Sequence, residues 1–172
     1  MKPTMKVTDD FTEKFNAIIK RYKNDVVLVG IPEANTERQD SDGEDETINN
    51  ATLFAIANFG SPLRNIPPWP IMAIGIRNAQ DDITEQFKTC ARLSLSQGLA
   101  AIETYYQRVG QIASVSIKKV INSQEGVPSG KPEPSTLAAR KNRKPTPFKG
   151  TKYWLVTGQM RNSITYVVGG RK

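Results

Sequence analysis

The chain of 172 residues contains no histidine and a single cysteine, Cys90. One thiol excludes an intramolecular disulfide, so nothing in the sequence asks for an oxidising compartment. Without imidazole there is no Ser-His-Asp or Cys-His catalysis, and with one thiol most zinc sites are excluded as well. Long apolar runs are also missing. The longest with strand character, VVLVGI at 26–31, is far too short to span a bilayer. Lys2 and Lys6 are followed by Asp9, Asp10 and Glu13 instead of the apolar stretch of a secretory signal. These absences predict a soluble chain made in the cytoplasm, with no membrane partner, no cofactor and no metal. They also argue against an enzyme. Glu103 beside Tyr105 and Tyr106 is the best remaining catalytic group, and a helix surface next to core explains it better. Cys90 reads as a buried, inert thiol.

The chain is plentiful in charge, unevenly distributed. Residues 1–50 carry seven basic and eleven acidic side chains, a net −4. Residues 51–110 carry +1, and residues 111–172 carry twelve basic against two acidic groups, +10, for the overall +7. An acidic front and a basic rear suit nucleic acid, or a partner of opposite asymmetry, a second copy included.

Periodicity predicts the elements. Phe11, Phe15, Ile18, Ile19 and Tyr22 mark one face of a helix over Thr8 to Tyr22, followed by a strand at VVLVGIP that ends at Pro32. Residues 33–50 are expected to be a flexible acidic loop. A calcium loop starting at Asp40 would place Ala51 at position twelve, where an EF-hand needs Glu, so the match fails. In NATLFAIANFG the core side is Ala51, Phe54, Ala55 and Phe59, with Gly60 as a left-handed terminator. Pro62, Pro67, Pro68 and Pro70 make the next segment a stiff extended connector around Trp69. IMAIGI continues as an edge strand or leads into a helix. Asp81 to Val109 is predicted as the longest helix, with Gly98 placed for a close backbone contact and Gly110 as its end or kink. A shorter helix follows around Ala113 to Ile121. Residues 122–150 form a basic arm rich in proline and glycine, with one helical turn after Pro134. At that length it is a functional arm rather than an idle connection. In KYWLVTGQMRNSITYVV, Thr157 is the expected cap, Gly158 allows a tight entry, and Leu155, Met160 and Ile164 share one side. This is a short helix delivering the chain into a terminal strand. It lacks the glycines and Lys-Ser or Lys-Thr of a phosphate loop, and the second helix of a helix-turn-helix.

The ordered set AIANFG, IPPWPI, PSTLAARK, Pro147, Thr157-Gly158, Met160 and Ser163-Ile164 resembles the bacteriophage tail-completion or head–tail joining (neck) family of the Mu-like virion morphogenesis type. The likeness spans residues 50–168. The family carries Pro-x-Arg-Pro-Phe where this chain has PPWPI, and the acidic loop here is longer. The length suits a single domain over residues 1–172, and the resemblance implies an α+β fold. It also implies a homo-oligomeric ring, six- or twelve-fold, at the head–tail junction or tail end of the virion. Its partners would be portal, adaptor or tail-tube proteins.

Combined with the residue-level analysis, the expected fold is a small antiparallel sheet packed on one long helix, with extended loops or arms. The expected interface comprises Pro67, Pro68, Trp69, Pro70, Arg140, Lys141, Arg143 and Lys144. Thr157, Gly158, Met160, Ser163 and Ile164 form the fold-closing motif. The alternative is a non-specific nucleic-acid-binding module. In it Phe148, Tyr153 and Trp154, beside Lys149 and Lys152, stack on bases while the basic third neutralises phosphate. In a neck ring the same cations would meet packaged DNA without reading its sequence.

Overall fold

A computed structural model describes residues 9–37, 48–128, 132–142 and 149–170. The expected interface residues Arg143 and Lys144 lie outside these residues. So do Pro145, Pro147 and Phe148, and most of the acidic stretch with its calcium-loop pattern.

Helix α1 (Asp9–Asn24) passes without a loop into strand β1 (Asp25–Gly30). After a 3-10 turn at Glu33–Asn35 come α2 (Asn50–Phe59), a second 3-10 turn at Pro62–Arg64, and α3 (Ile71–Asn78). The chain continues through α4 (Gln80–Gln97), α5 (Leu99–Ser123), α6 (Pro134–Lys141) and α7 (Gln159–Ser163), and ends in β2 (Thr165–Gly170). β1 and β2 pair antiparallel, Asp25 opposite Gly170 and Gly30 opposite Thr165. The sheet lies on α5, which also packs against α3 and α4. The α+β architecture, with a small antiparallel sheet on one long helix, is therefore present.

The long helix is not the one the periodicity picked out. α4 stops at Gln97 because Gly98 sits at φ +69°, ψ −149°, a backbone open essentially to glycine alone. A Cβ there would have no neighbour within 4 Å, so the residue serves a tight helix–helix turn and not a close contact. α5 then runs straight through Gly110. There the glycine admits the Tyr166 ring, which an added Cβ would overlap. Close approach also explains Gly75, where a Cβ would fall 2.8 Å from the Ile117 Cα. One apolar stripe continues across Gly98 because both arms of the α4–α5 hairpin bury a face.

Other expectations change with burial. IMAIGI is helical. α2 turns Phe54, Ala57 and Asn58 inward and leaves Phe59 76% exposed, so its core face is rotated from the one predicted. Gly60 has the expected positive φ, +78°. The core has two lobes. One gathers Phe54, Trp69, Ile71, Ile117, Ile121 and Ile164, and the other gathers Ile18, Cys90, Ile102 and Tyr106. Cys90 is fully buried and lies 3.2 Å from the Tyr22 hydroxyl. Burial, then the Cys90 contact, push the Tyr22 hydroxyl up to about 12.

Candidate functional site

The proline segment is held from both sides. Trp69 N–H donates to Ala57 O at 2.9 Å, and Met72 N–H donates to the Asn58 side-chain oxygen at 3.0 Å. Trp69 fills the first core lobe at 1% exposure, and its indole N–H donates to Glu125 O at 2.7 Å. Trp69 is thus a core anchor: an indole with its one donor satisfied gains most by burial. Pro67, Pro68 and Pro70 stay exposed around it. The stiffness attributed to the segment shapes a wall of the subunit.

Arg140 is also tied into its own subunit. On half-buried ground it donates to Gly150 O at 3.3 Å and Lys152 O at 2.8 Å, tying α6 to the chain beyond it. Burial lowers its pKa from the ordinary arginine value. Lys141 is exposed. Other cations of the basic third are also occupied. Lys152 Nζ donates to Asn122 O at 2.6 Å, and Arg161 donates to Asn122 Oδ1 at 2.8 Å. Both sit at the C-terminal end of α5, where positive charge complements exposed carbonyls and the helix dipole.

The closing motif is a short helix entering a strand, as predicted, with a different cap. Gly158, at φ +79°, occupies the N-cap position, and Thr157 Oγ accepts from Gln159 N–H at a long 3.4 Å. Met160 and Ile164 are buried in the first lobe. Ser163 Oγ donates to Gln159 O and accepts from Asn50 Nδ2, at 2.9 and 3.1 Å. Asn50, 1% exposed, also donates to Glu37 O and so fastens α7 to the start of α2. Sequence reasoning missed this asparagine; its only local sign is its place at the start of a helix, next to the Asn49 cap.

These pieces meet around one cleft of about 950 Å³. Pro67 and Trp69 line it together with Arg140, Thr157, Gly158 and Met160, although the three groups lie far apart in sequence. Pro68, Pro70, Lys141, Ser163 and Ile164 are not part of its lining. The cleft also takes in Tyr153 and Trp154, and on its polar side Arg64 and Glu133. Tyr153 is clamped at both backbone groups by Gln124. Its N–H donates to Oε1 at 2.6 Å, and its carbonyl accepts from Nε2 at 3.3 Å. Trp154 stands at φ +53°, a strained backbone for a bulky residue. An apolar wall with aromatic rings and a few placed polar groups is suited to receiving another chain. No group of three acidic, cysteine or histidine side chains occurs that would hold a metal among the described residues. No helix among them is long and apolar enough to cross a membrane.

No protein-family model, curated protein or solved structure matches this chain.

Proposed function

We propose that the chain is a structural virion protein of a tailed phage, assembling as a homo-oligomeric ring at the head–tail junction or tail end. The observation that carries this role is convergence. IPPWPI, PSTLAARK and Thr157-Gly158-x-Met160, the motifs that resemble the neck family, contribute walls to one cleft. Such long-range agreement is expected if the motifs together shape a surface for a neighbour. The large unpaired apolar side chains described below add to the same picture. Nucleic-acid binding as the main role has less support, because Arg140, Lys152 and Arg161 are spent on backbone and asparagine oxygens.

The test is association. The full chain is purified, its mass is measured across concentration, and it is mixed with portal and with tail-tube proteins. Assembly in whole multiples of the subunit, or binding to either ring, is the expected outcome. A strict monomer that binds neither would rule the role out.

A further inference from the structure

The stripe of α1 extends beyond its own subunit's core. Residues 11, 15, 18 and 22 lie within one narrow sector of a helix with 3.6 residues per turn. Ile18 and Tyr22, in the second half, pack against Cys90, Ile102 and Tyr106. Phe11 and Phe15, on the same sector, are 61% and 42% exposed. Their rings are nearly parallel, with centroids 6.4 Å apart. Every described side chain from 11 to 16 is exposed. Among the described residues, the helix continues an apolar face past the point where anything covers it.

Among the described residues, no element packs on the other side of the sheet. Val27, Val29, Tyr166 and Val168 face inward, onto α5 and the core. Alternation places Val26, Leu28 and Gly30 with Thr165, Val167 and Gly169 on the outer face. Leu28 and Val167, directly opposite each other, are 64% and 48% exposed. This face bears no charge. Its two glycines are the second sign. Gly30 and Gly169 have ordinary φ, and a Cβ on either would meet nothing within 4 Å. Nothing among the described residues therefore requires glycine there, although glycine weakens a strand. Glycine inside a strand often marks close approach by another chain. The result is a Leu28–Val167 ridge with a recess toward each end.

We propose that the Phe11–Phe15 end of α1 docks on the outer sheet face of a neighbouring copy, so that each subunit supplies one half of the contact at either side. The two surfaces match in character and size. Both are uncharged at the contact. The free half of α1 is about 12 Å long, and six strand residues span about 20 Å. Same-face positions along a strand repeat at about 6.6 Å, close to the separation of the two rings. Sheet and helix each gain a packed layer that the described residues do not supply. The contact is head-to-tail, because stripe and sheet are different surfaces, and repetition closes a ring or runs on as a filament. The docking rests on the ring role proposed above and adds the surfaces that would build it.

Two full-length variants separate the halves. Phe11→Ser with Phe15→Ser removes the stripe and leaves the sheet. Gly30→Val with Gly169→Val fills the recesses and leaves the stripe, with strand propensity raised and no backbone strain. Circular dichroism melts establish that each is folded. Sedimentation velocity is then run on the wild type, on each variant and on their equimolar mixture. The expected result is an assembling wild type, two monomeric variants, and a mixture that stops at a one-to-one pair. That pair forms because one intact stripe meets one intact sheet face. If the wild type assembles and either folded variant assembles equally well, the docking is wrong and the ring role stands. If α1 instead pairs with α1, the glycine variant assembles unaltered, which also overturns it. A wild type that stays monomeric to its solubility limit removes the docking as a self-assembly contact. Binding of that monomer to portal or tail-tube protein then decides the ring role separately.

Discussion

At the scale of single residues, similar letters do different work according to what surrounds them. Gly98 is required by its dihedral angles, whereas Gly110 is required by the Tyr166 ring. Gly110→Ala should cost about 1–3 kcal/mol through overpacking. Trimming Tyr166 to Val should recover part of that loss, a coupling that a double-mutant cycle in urea reads directly. Gly98→Ala should also destabilise, with no relief from any side-chain change nearby. Trp69→Ala should cost about 3–5 kcal/mol, as truncation of a buried aromatic does. The exposed Pro67→Ala should stay within about 1 kcal/mol. If instead Trp69→Ala leaves the urea midpoint unchanged, Trp69 is not a core anchor. The sequence does state that both glycines and the tryptophan matter. It does not state whether a glycine is needed for angle or for room, because that depends on a residue more than fifty positions away.

Among elements, helices read well where one face is buried and poorly where a helix is covered on several sides. α1, α2, α6, α7 and both strands fall close to their expected places. α4 and α5 were merged in the sequence because an apolar stripe continues on both sides of Gly98, and a hairpin of two amphipathic helices leaves the same periodic pattern as one long helix. The rotated face of α2 follows from Asn50 and Asn58, polar groups drawn inside by hydrogen bonds to Ser163 and Met72. Periodicity counts such residues as surface. The joint of α1 with α4 and α5 also predicts a pH response. Burial and the Cys90 contact hold the Tyr22 proton to about 12, and burial raises Tyr106 too. Above pH 10 the unfolded chain loses these protons first while the native state retains them. Stability should then fall as pH rises from about 10 towards 12, and stay level at neutral pH. Thermal melts of wild type and Tyr22→Phe across that window check it: the substitution should make the decline shallower. At α6, Arg140→Ala orphans two carbonyl contacts and should cost about 1–2 kcal/mol. The exposed Lys141→Ala should change stability by less than about 0.5 kcal/mol. Equal effects of the two would contradict the tether.

For the molecule as a whole, the charge gradient was legible at once and its use was not. The basic third looked free for phosphate. In the fold, Lys152 and Arg161 settle on the end of α5 and Arg140 ties α6 to its own chain. The cleft was legible only as separate motifs, since no spacing rule joins residues 67, 140 and 157. Among the described residues, the apolar surface on α1 and on the outer sheet face is a feature that intramolecular packing leaves unexplained. The proposed role is contact of the chain with its own copies and with neighbouring virion rings. The most direct measurement is the mass of the full chain alone and after mixing with portal or tail-tube rings, by native mass spectrometry. Discrete species at whole multiples of the 19.1 kDa subunit, or a saturable complex with one of those rings, are the expected result. Only the single-subunit mass, under every condition and with both candidate rings left bare, would contradict it.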